Sequence, residues 1–435
     1  MIRATDIQEG FLHLVGWEQN YDTTDIVISE NLTESESGIY FQQIHPLLTL
    51  ENLNCIAPNF KNITYPEYDA ETEYSKGQVI MHNAKLYKSL EKSLGEEPSD
   101  NSDYWIETNP FSEWLEKKTK ASIYKALMRY YNDKIVKGTS KSLVESKTLF
   151  DGTGRIYDVI PNRHNLVGFE IIPIRSKGVT LKINKIGLQF SEPGEYTIYI
   201  MHSSCFEPIK VIKLEKVKAN SMEWFKLDEV YLPYESLNTD AGGSWYICYL
   251  QSELPENSAA INKDKDWSKG PCSGCSRREF LAWQAWSKFI EVHPFNIKEV
   301  DAEIDAENMH LWDIENNDYD YTKNYGINLD ITIECDITDY LIEQRHQFVD
   351  VISKQLAIDM LREFAYNPNV RTNRHSINAA RTEILYEIDG DSSSMKKSGL
   401  SYQLEQSFKS IEVTFTGIDR VCQPCKNNGM RYRTV

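Results

Sequence analysis

Apolar and polar positions change their spacing from stretch to stretch along the chain. Residues 1–60 combine a helical start, "TDIQEGFLHLVGW", with two β-leaning runs, "DIVIS" and "GIYFQQI". "PFSEWLEKKTKASIYKALMRYYNDKI" then places Trp114, Ile123, Leu127 and Tyr131 at helical spacing, and Pro110 stands just before the helix start. From about 150 to 300 the texture turns to β-branched or aromatic runs: "LVGFEIIPI", "VTLKINKIGLQF", "EYTIYIMHS", "IKVIKLEKV", "MEWFKLDEVYL" and "SWYICYLQS". Turn signals such as "SKG", "SEPG" and "DAGG" separate them, and no helix intervenes, so an antiparallel sandwich is predicted. Beyond 300, "GINLDITIECDI" alternates as a strand. A long helix is predicted over "TDYLIEQRHQFVDVISKQLAIDMLREFAYNP", with Thr338 or Asp339 as cap and Phe348, Ile352, Leu356 and Met360 at i+4 steps. A second helix, "SGLSYQLEQSFKS", leads into a final strand, "IEVTFTG".

These textures predict a multidomain α+β chain, mainly β. The expected parts are an N-terminal mixed and helical region (1–64 and 110–149) and a small aromatic insert (65–109). A jelly-roll-like sandwich (150–300) and a C-terminal α+β domain (301–435) complete it. A length of 435 residues agrees, because one hydrophobic core rarely grows that far. The formal charge of −18 excludes general affinity for nucleic acid in the absence of a large basic patch, and none is visible. The N-terminus lacks the basic-then-apolar order of a signal peptide. No stretch approaches the ~20 apolar residues that span a bilayer. Folding in a reducing cytosol, with no membrane partner, is the resulting expectation.

Of eight cysteines, four form two CxxC pairs, Cys272/Cys275 in "GPCSGCS" and Cys422/Cys425 in "VCQPCKNNG". Each CxxC turn holds two sulfurs at the separation tetrahedral zinc requires, and two turns complete a four-cysteine structural site. A disulfide formed after release from the cell and free thiols in turns remain alternatives. Redox chemistry stays open as well, since "CSGCSRREFLAWQAWSKFIEV" runs into a helix. Cys55, Cys205, Cys248 and Cys335 read as ordinary buried thiols. Nucleotide-binding glycine loops, nucleophile elbows and zinc-protease motifs are absent from the sequence. His202, His293 and His310 lie near acids or aromatics without helical metal-ligand spacing, and Asp301/Glu303/Asp305 read as acidic surface.

The insert has the order Tyr68-Asp69-Ala70, Tyr74, Lys76-Gly77, Val79, Asn83, Leu86-Tyr87, Pro98, Trp105. It resembles the small carbohydrate-binding module appended to chitinases. That resemblance implies a three-stranded fold pinned by aromatics, with Tyr74, Tyr87 and Trp105 as candidate glycan-binding rings. Two positions depart from the pattern: Tyr68 stands for a tryptophan, and Ala84 stands where glycine is usual. The stretch that carries exposed sugar-stacking rings in chitinases holds Ser89, Leu90 and Leu94. A spacer or interface role is therefore the simpler reading of the insert.

From about 140 onward, three blocks resemble a virion structural protein of tailed phages of Bacteroidota, the crAss-like phages. They are "KSLVESKTLFDGTGRIYDVIPNRHNLVGFEIIPIRSKGVTLKINKIGLQF", "INKDKDWSKGPCSGCSRREFLAWQAWSKFIEVHPF" and "GIDRVCQPCKNNGMRYRTV". The resemblance implies a non-enzymatic ring or tail protein at the portal vertex of the virion, assembled in the host cytoplasm. Its partners would be copies of itself, the portal and other tail or ring proteins, with genomic DNA contacted only in passing and not by sequence. A receptor-binding tail or surface protein that holds glycans is the alternative.

Overall fold

The computed structural model describes residues 2–21, 25–91, 93–99, 102–135, 142–151, 156–174, 178–236, 239–271, 277–298, 317–367, 374–390, 398–414, 418 and 421–422. The N-terminal part contains α1 (Ala4–Gly10), α2 (Leu50–Ile56), β1 (Glu73–Tyr74), β2 (Val79–His82), β3 (Lys85–Ser89), β4 (Ser93–Leu94), β5 (Trp105–Thr108) and α3 (Pro110–Tyr130). Next come β6 (Ser142–Thr148), β7 (Ile156–Ile160), β8 (Leu166–Pro173), β9 (Val179–Leu188), β10 (Gly194–His202), β11 (Cys205–Lys216) and β12 (Glu223–Pro233). They are followed by β13 (Glu235–Ser236), β14 (Thr239–Gly242), β15 (Trp245–Leu250), β16 (Ala260–Lys263), α4 (Arg277–Trp286), β17 (Ile290–Ile297), β18 (Asn317–Tyr319) and β19 (Ile327–Cys335). Four helices follow: α5 (Thr338–Glu343), α6 (Val349–Tyr366), α7 (Arg374–Asp389) and α8 (Leu400–Ser410).

The fold is mixed α and β, and every pairing between named strands is antiparallel. Two compact units share the chain, and their boundaries cut across the segments expected from texture. One contains the described residues of 138–336 with those of 415–435; the other contains those of 2–137 with 337–414. The helices after 337 thus belong with the N-terminal region rather than forming a separate C-terminal domain. The physical reason is packing: Tyr130 of α3 and Phe11 both meet the buried Phe348 ring edge-on, at 5.0 and 5.7 Å.

The β-rich unit contains a six-stranded sheet, order β11-β10-β15-β8-β17-β18, and a four-stranded sheet, order β12-β9-β19-β6. Along β19 the apolar Ile327, Leu329, Ile331 and Ile333 are fully buried. Polar side chains between them are satisfied: Asn328 donates to the Phe150 carbonyl, and Asp330 accepts from Ser146 Oγ at 2.9 Å. Apolar and polar residues alternate along the strand, and both faces are enclosed over Ile327–Ile331. Trp245 of the six-stranded sheet donates its indole N–H to the Pro233 carbonyl at the end of β12 (3.0 Å).

In the other unit, β2-β3-β5 form the three-stranded sheet expected of the insert. Asn109 caps α3 by accepting from Ser112 N, and Pro110 occupies the first turn, where a missing N–H costs nothing. The long predicted helix is broken: α5 ends at Glu343, and a 3-10 turn over Arg345–Phe348 precedes α6. Thr338 does not cap it. Its hydroxyl accepts from Arg3 N instead, at 2.9 Å. "DIVIS" forms no strand, "GIYFQQI" contributes one bridge at Tyr40 and a 3-10 turn, and Ile411–Thr414 is irregular. These short apolar runs bury isolated side chains without finding a partner strand.

Candidate functional site

Two of the sequence-derived site groups have definite places. Tyr74 and Trp105 are 2% exposed and Tyr87 is 4% exposed, together with Ile80 in one cluster. Tyr68 stacks on Tyr74 at 5.8 Å, and Trp105 meets Tyr74 edge-on at 5.3 Å. The structure therefore brings the three rings together as the core of the module, contrary to their expected role, because a ring so enclosed has no face left for a sugar. Burial also offsets the small size of the module, which has little else to fill its interior.

Cys422, expected among the zinc ligands, is disulfide-bonded to Cys335, with Cα atoms 5.4 Å apart. Cys335 is accordingly not the free buried thiol anticipated. A sulfur in a disulfide offers no thiolate, so this bond and a four-cysteine zinc site are mutually exclusive at Cys422. Cys272, Cys275 and Cys425 lie outside the described residues. Among the described residues no group of three or more His, Cys, Asp or Glu side chains could hold a metal ion.

Another group of polar and aromatic side chains lines a cavity beside β17, where the described part of β18 is short. β18 pairs only with Phe295–Ile297, so the Ile290–Pro294 half of β17 has no described strand on that side. Pro294, lacking an N–H for a ladder, marks the point where β18 stops. The α4 helix and the segment 265–270 wall a cavity of about 300 Å³ there. Trp283 and Trp286, one helical turn apart, both line it, as does Trp267. A Cβ at Gly270 would lie 2.7 Å from the Trp283 ring, so only glycine lets the backbone lie against that indole.

The lysines in this wall are paired with carboxylates. Lys265 Nζ donates to Glu279 Oε1 at 2.8 Å and sits 4.4 Å from the Trp267 ring centroid. Burial pulls the Lys265 pKa below that of an ordinary lysine, and Glu279 acts against the shift. Lys269 is near Asp266 at 3.6 Å, and His293 Nε2 is 3.5 Å from Glu291. Behind the pocket, the buried Glu170 carboxylate accepts from Tyr246 Oη at 3.1 Å and from Tyr319 Oη at 2.7 Å. Burial, then the Glu170 charge, raises both phenol pKa values, which keeps them protonated donors. Three polar atoms are left over: Nε1 of Trp267, Nε1 of Trp286 and Nδ1 of His293 are enclosed and have no hydrogen-bond partner.

A larger cleft of about 750 Å³ lies beside β5. Two of its polar side chains are engaged: Ser29 Oγ donates to the Glu107 carbonyl and Asn109 Nδ2 to the Val27 carbonyl. From sequence, His293 reads as a histidine without ligand spacing, and the tryptophans are not among the candidate residues. The available signal was Trp283-x-x-Trp286 on a predicted helix, following Trp267-x-x-Gly270. No protein-family model, no curated protein and no solved structure matches this chain.

Proposed function

We propose that this chain is a non-enzymatic structural component of a phage particle, present in several copies as a ring at the portal or tail vertex. In this reading the two sheets form a jelly-roll-like sandwich. Consecutive strands that alternate between the sheets support it: β8 lies in one, β9 in the other, β10 and β11 in the first again, and β12 in the second.

The observation that carries the proposal is a pair of sheet edges at one corner with no further strand beside them among the described residues. β11 ends the six-stranded sheet and β12, next in sequence, ends the four-stranded sheet. Apolar side chains stand in solvent along that corner: Val211 is 49% exposed, Val217 69% and Trp224 38%. Exposed edges of this length invite strand pairing unless something covers them. Ring assembly supplies a cover, because heterologous contacts bring one flank of each copy onto the opposite flank of the next. The resemblance of the segment from about 140 onward to ring or tail proteins of crAss-like phages points the same way.

Mass photometry and negative-stain imaging of the purified chain test this. A closed ring of several copies is expected, and Val211→Lys with Trp224→Lys should yield folded monomers. A chain that stays monomeric at every concentration would overturn the proposal.

A further inference from the structure

His202 ends β10 and faces Cys205 of β11 across the two-residue turn Ser203-Ser204, with Trp245 of β15 on its other side. It is 1% exposed, and its imidazole meets the Trp245 indole edge-on at 4.7 Å. Ser204 N–H donates to His202 Nδ1 at 3.1 Å, and Ser204 Oγ lies 2.8 Å from the same nitrogen. An Nδ1 that accepts carries no proton, so the neutral imidazole holds its hydrogen on Nε2. That Nε2 is enclosed and has no partner among the described residues. Gly243 closes the same side. A Cβ there would stand 2.6 Å from His202 Cε1 and 2.8 Å from Nε2, so its backbone lies against that edge of the imidazole. The turn is tied to this segment as well: Ser203 N–H donates to the Ser244 carbonyl at 3.0 Å, and Ser244 N–H to Ser203 Oγ at 3.1 Å.

A second proton fits this arrangement badly. It goes to Nδ1, where Ser204 Oγ can accept it, but Ser204 N–H then points at another N–H and Nε2 still lacks an acceptor. Of the groups that face the imidazole, Cys205 from β11 is titratable, while Trp245 from β15, Gly243, Ser203 and Ser204 are neutral. A cation enclosed without a counter-charge is costly. Burial accordingly holds the His202 pKa below that of an ordinary histidine. With the folded value below the unfolded one of about 6.5, the closed turn is fully stable above that pH. It loses stability as pH falls further, until the folded value is passed.

From the enclosure, the accepting Nδ1 and the lack of a counter-charge among the described residues, we infer that His202 is an acid-operated release for the turn between β10 and β11. Protonation drives the imidazole away from Ser204 and Gly243, breaks the ties between Ser203 and Ser244, and frees the start of β11. β11 is the edge that the proposed ring uses, so on that reading, on which this last step rests, acid also weakens the contact between copies.

Hydrogen exchange of the full chain between pH 7.5 and 5.0, corrected for intrinsic rates, tests the inference. Protection of the Ser203, Ser204 and Ser244 amides should fall by up to about ten-fold per pH unit below about pH 6.5. The amides of β19 should keep theirs. His202→Gln, whose side-chain oxygen accepts from Ser204 N–H at every pH, should abolish the pH dependence. NMR of imidazole-labelled protein should show His202, assigned by its loss in that variant, titrating below pH 6.5. Protection that ignores pH would overturn the inference, as would the same fall in His202→Gln, or a His202 signal that titrates at or above 6.5. If the variant does not fold, the exchange and titration of the unaltered chain decide. A monomer whose turn opens in acid would refute the ring and leave the release standing; a ring whose turn ignores pH would do the reverse.

Discussion

Ala84 shows how one residue can be read both from sequence and from structure. It departs from the glycine usual in the chitinase-type pattern, and the backbone explains why glycine is usual. Asn83 and Ala84 form the two-residue turn between β2 and β3, with φ of 50° and 63°. That turn needs left-handed φ at both central positions, where a Cβ costs about 1–2 kcal/mol. Asn tolerates the region and Ala does not. Ala84→Gly should therefore stabilise the helix-containing unit by roughly 1 kcal/mol after the extra chain entropy of glycine is deducted. Chemical denaturation of the two proteins measures this, and a less stable glycine variant would contradict the strain argument.

Cys422 teaches the opposite lesson. Its CxxC spacing directed attention to its neighbour three residues on, yet its partner is Cys335, 87 residues earlier at the end of β19. Spacing along the chain says nothing about which distant segment comes alongside. Peptide mapping without reductant should recover the Cys335–Cys422 cross-link, and zinc analysis of the same sample should find well under one ion per chain. Closing a loop of this length stabilises by about 4–5 kcal/mol in the chain-entropy account. Replacing both cysteines by serine should lower the stability of the β-rich unit by a sizeable part of that amount.

At the scale of elements, the aromatic insert is joined to α3 by a buried ion cluster. Lys88 on β3 donates to Glu116 Oε1 at 2.7 Å and to Glu113 Oε2 at 3.0 Å. Burial works against both charged forms. Even so, Glu116 and Glu113 hold the Lys88 pKa above that of an ordinary lysine, and Lys88 and Lys120 hold the Glu116 pKa below the ordinary carboxylate value. A depressed carboxylate contributes stability that is present above its unfolded pKa and lost as pH falls through the folded one. The junction should accordingly weaken below about pH 4, the ordinary glutamate range. The raised lysine pKa acts at the other end, losing its contribution only at strongly alkaline pH. Glu116→Gln leaves Lys88 short of a counter-charge and should cost about 3–5 kcal/mol. Lys88→Met together with Glu116→Leu should cost much less. Equal losses in the single and double variants would mean the pair acts through packing alone.

For the whole molecule, net charge bears on assembly. Copies carrying −18 each repel one another, and salt shortens the reach of that repulsion from about 30 Å at 0.01 M to about 8 Å at 0.15 M. If apolar corners hold the proposed ring together, its assembled fraction should rise over that range in sedimentation velocity experiments. Dissociation by the same salt would point to ion pairs between copies in place of the β11 and β12 edges.

Local pattern was enough for several features, because each is dictated by residues close in sequence. Helical spacing and Pro110 mark α3, alternation marks β19, and the run of β-branched segments marks the antiparallel sheets. The ordered aromatics mark the three-stranded module. Other features depend on contacts between distant segments, which no local period encodes. Folding buried Tyr74, Tyr87 and Trp105 in the module, because its few residues have little else to fill a core. Folding also joined Cys422 to Cys335, assigned the helices after 337 to the N-terminal unit, and broke the long helix before Val349. The tryptophan pocket is decided in the same way. Trp283 and Trp286 lie one helical turn apart by sequence, but only the fold sets α4 and residues 265–270 beside Ile290–His293 to wall the cavity.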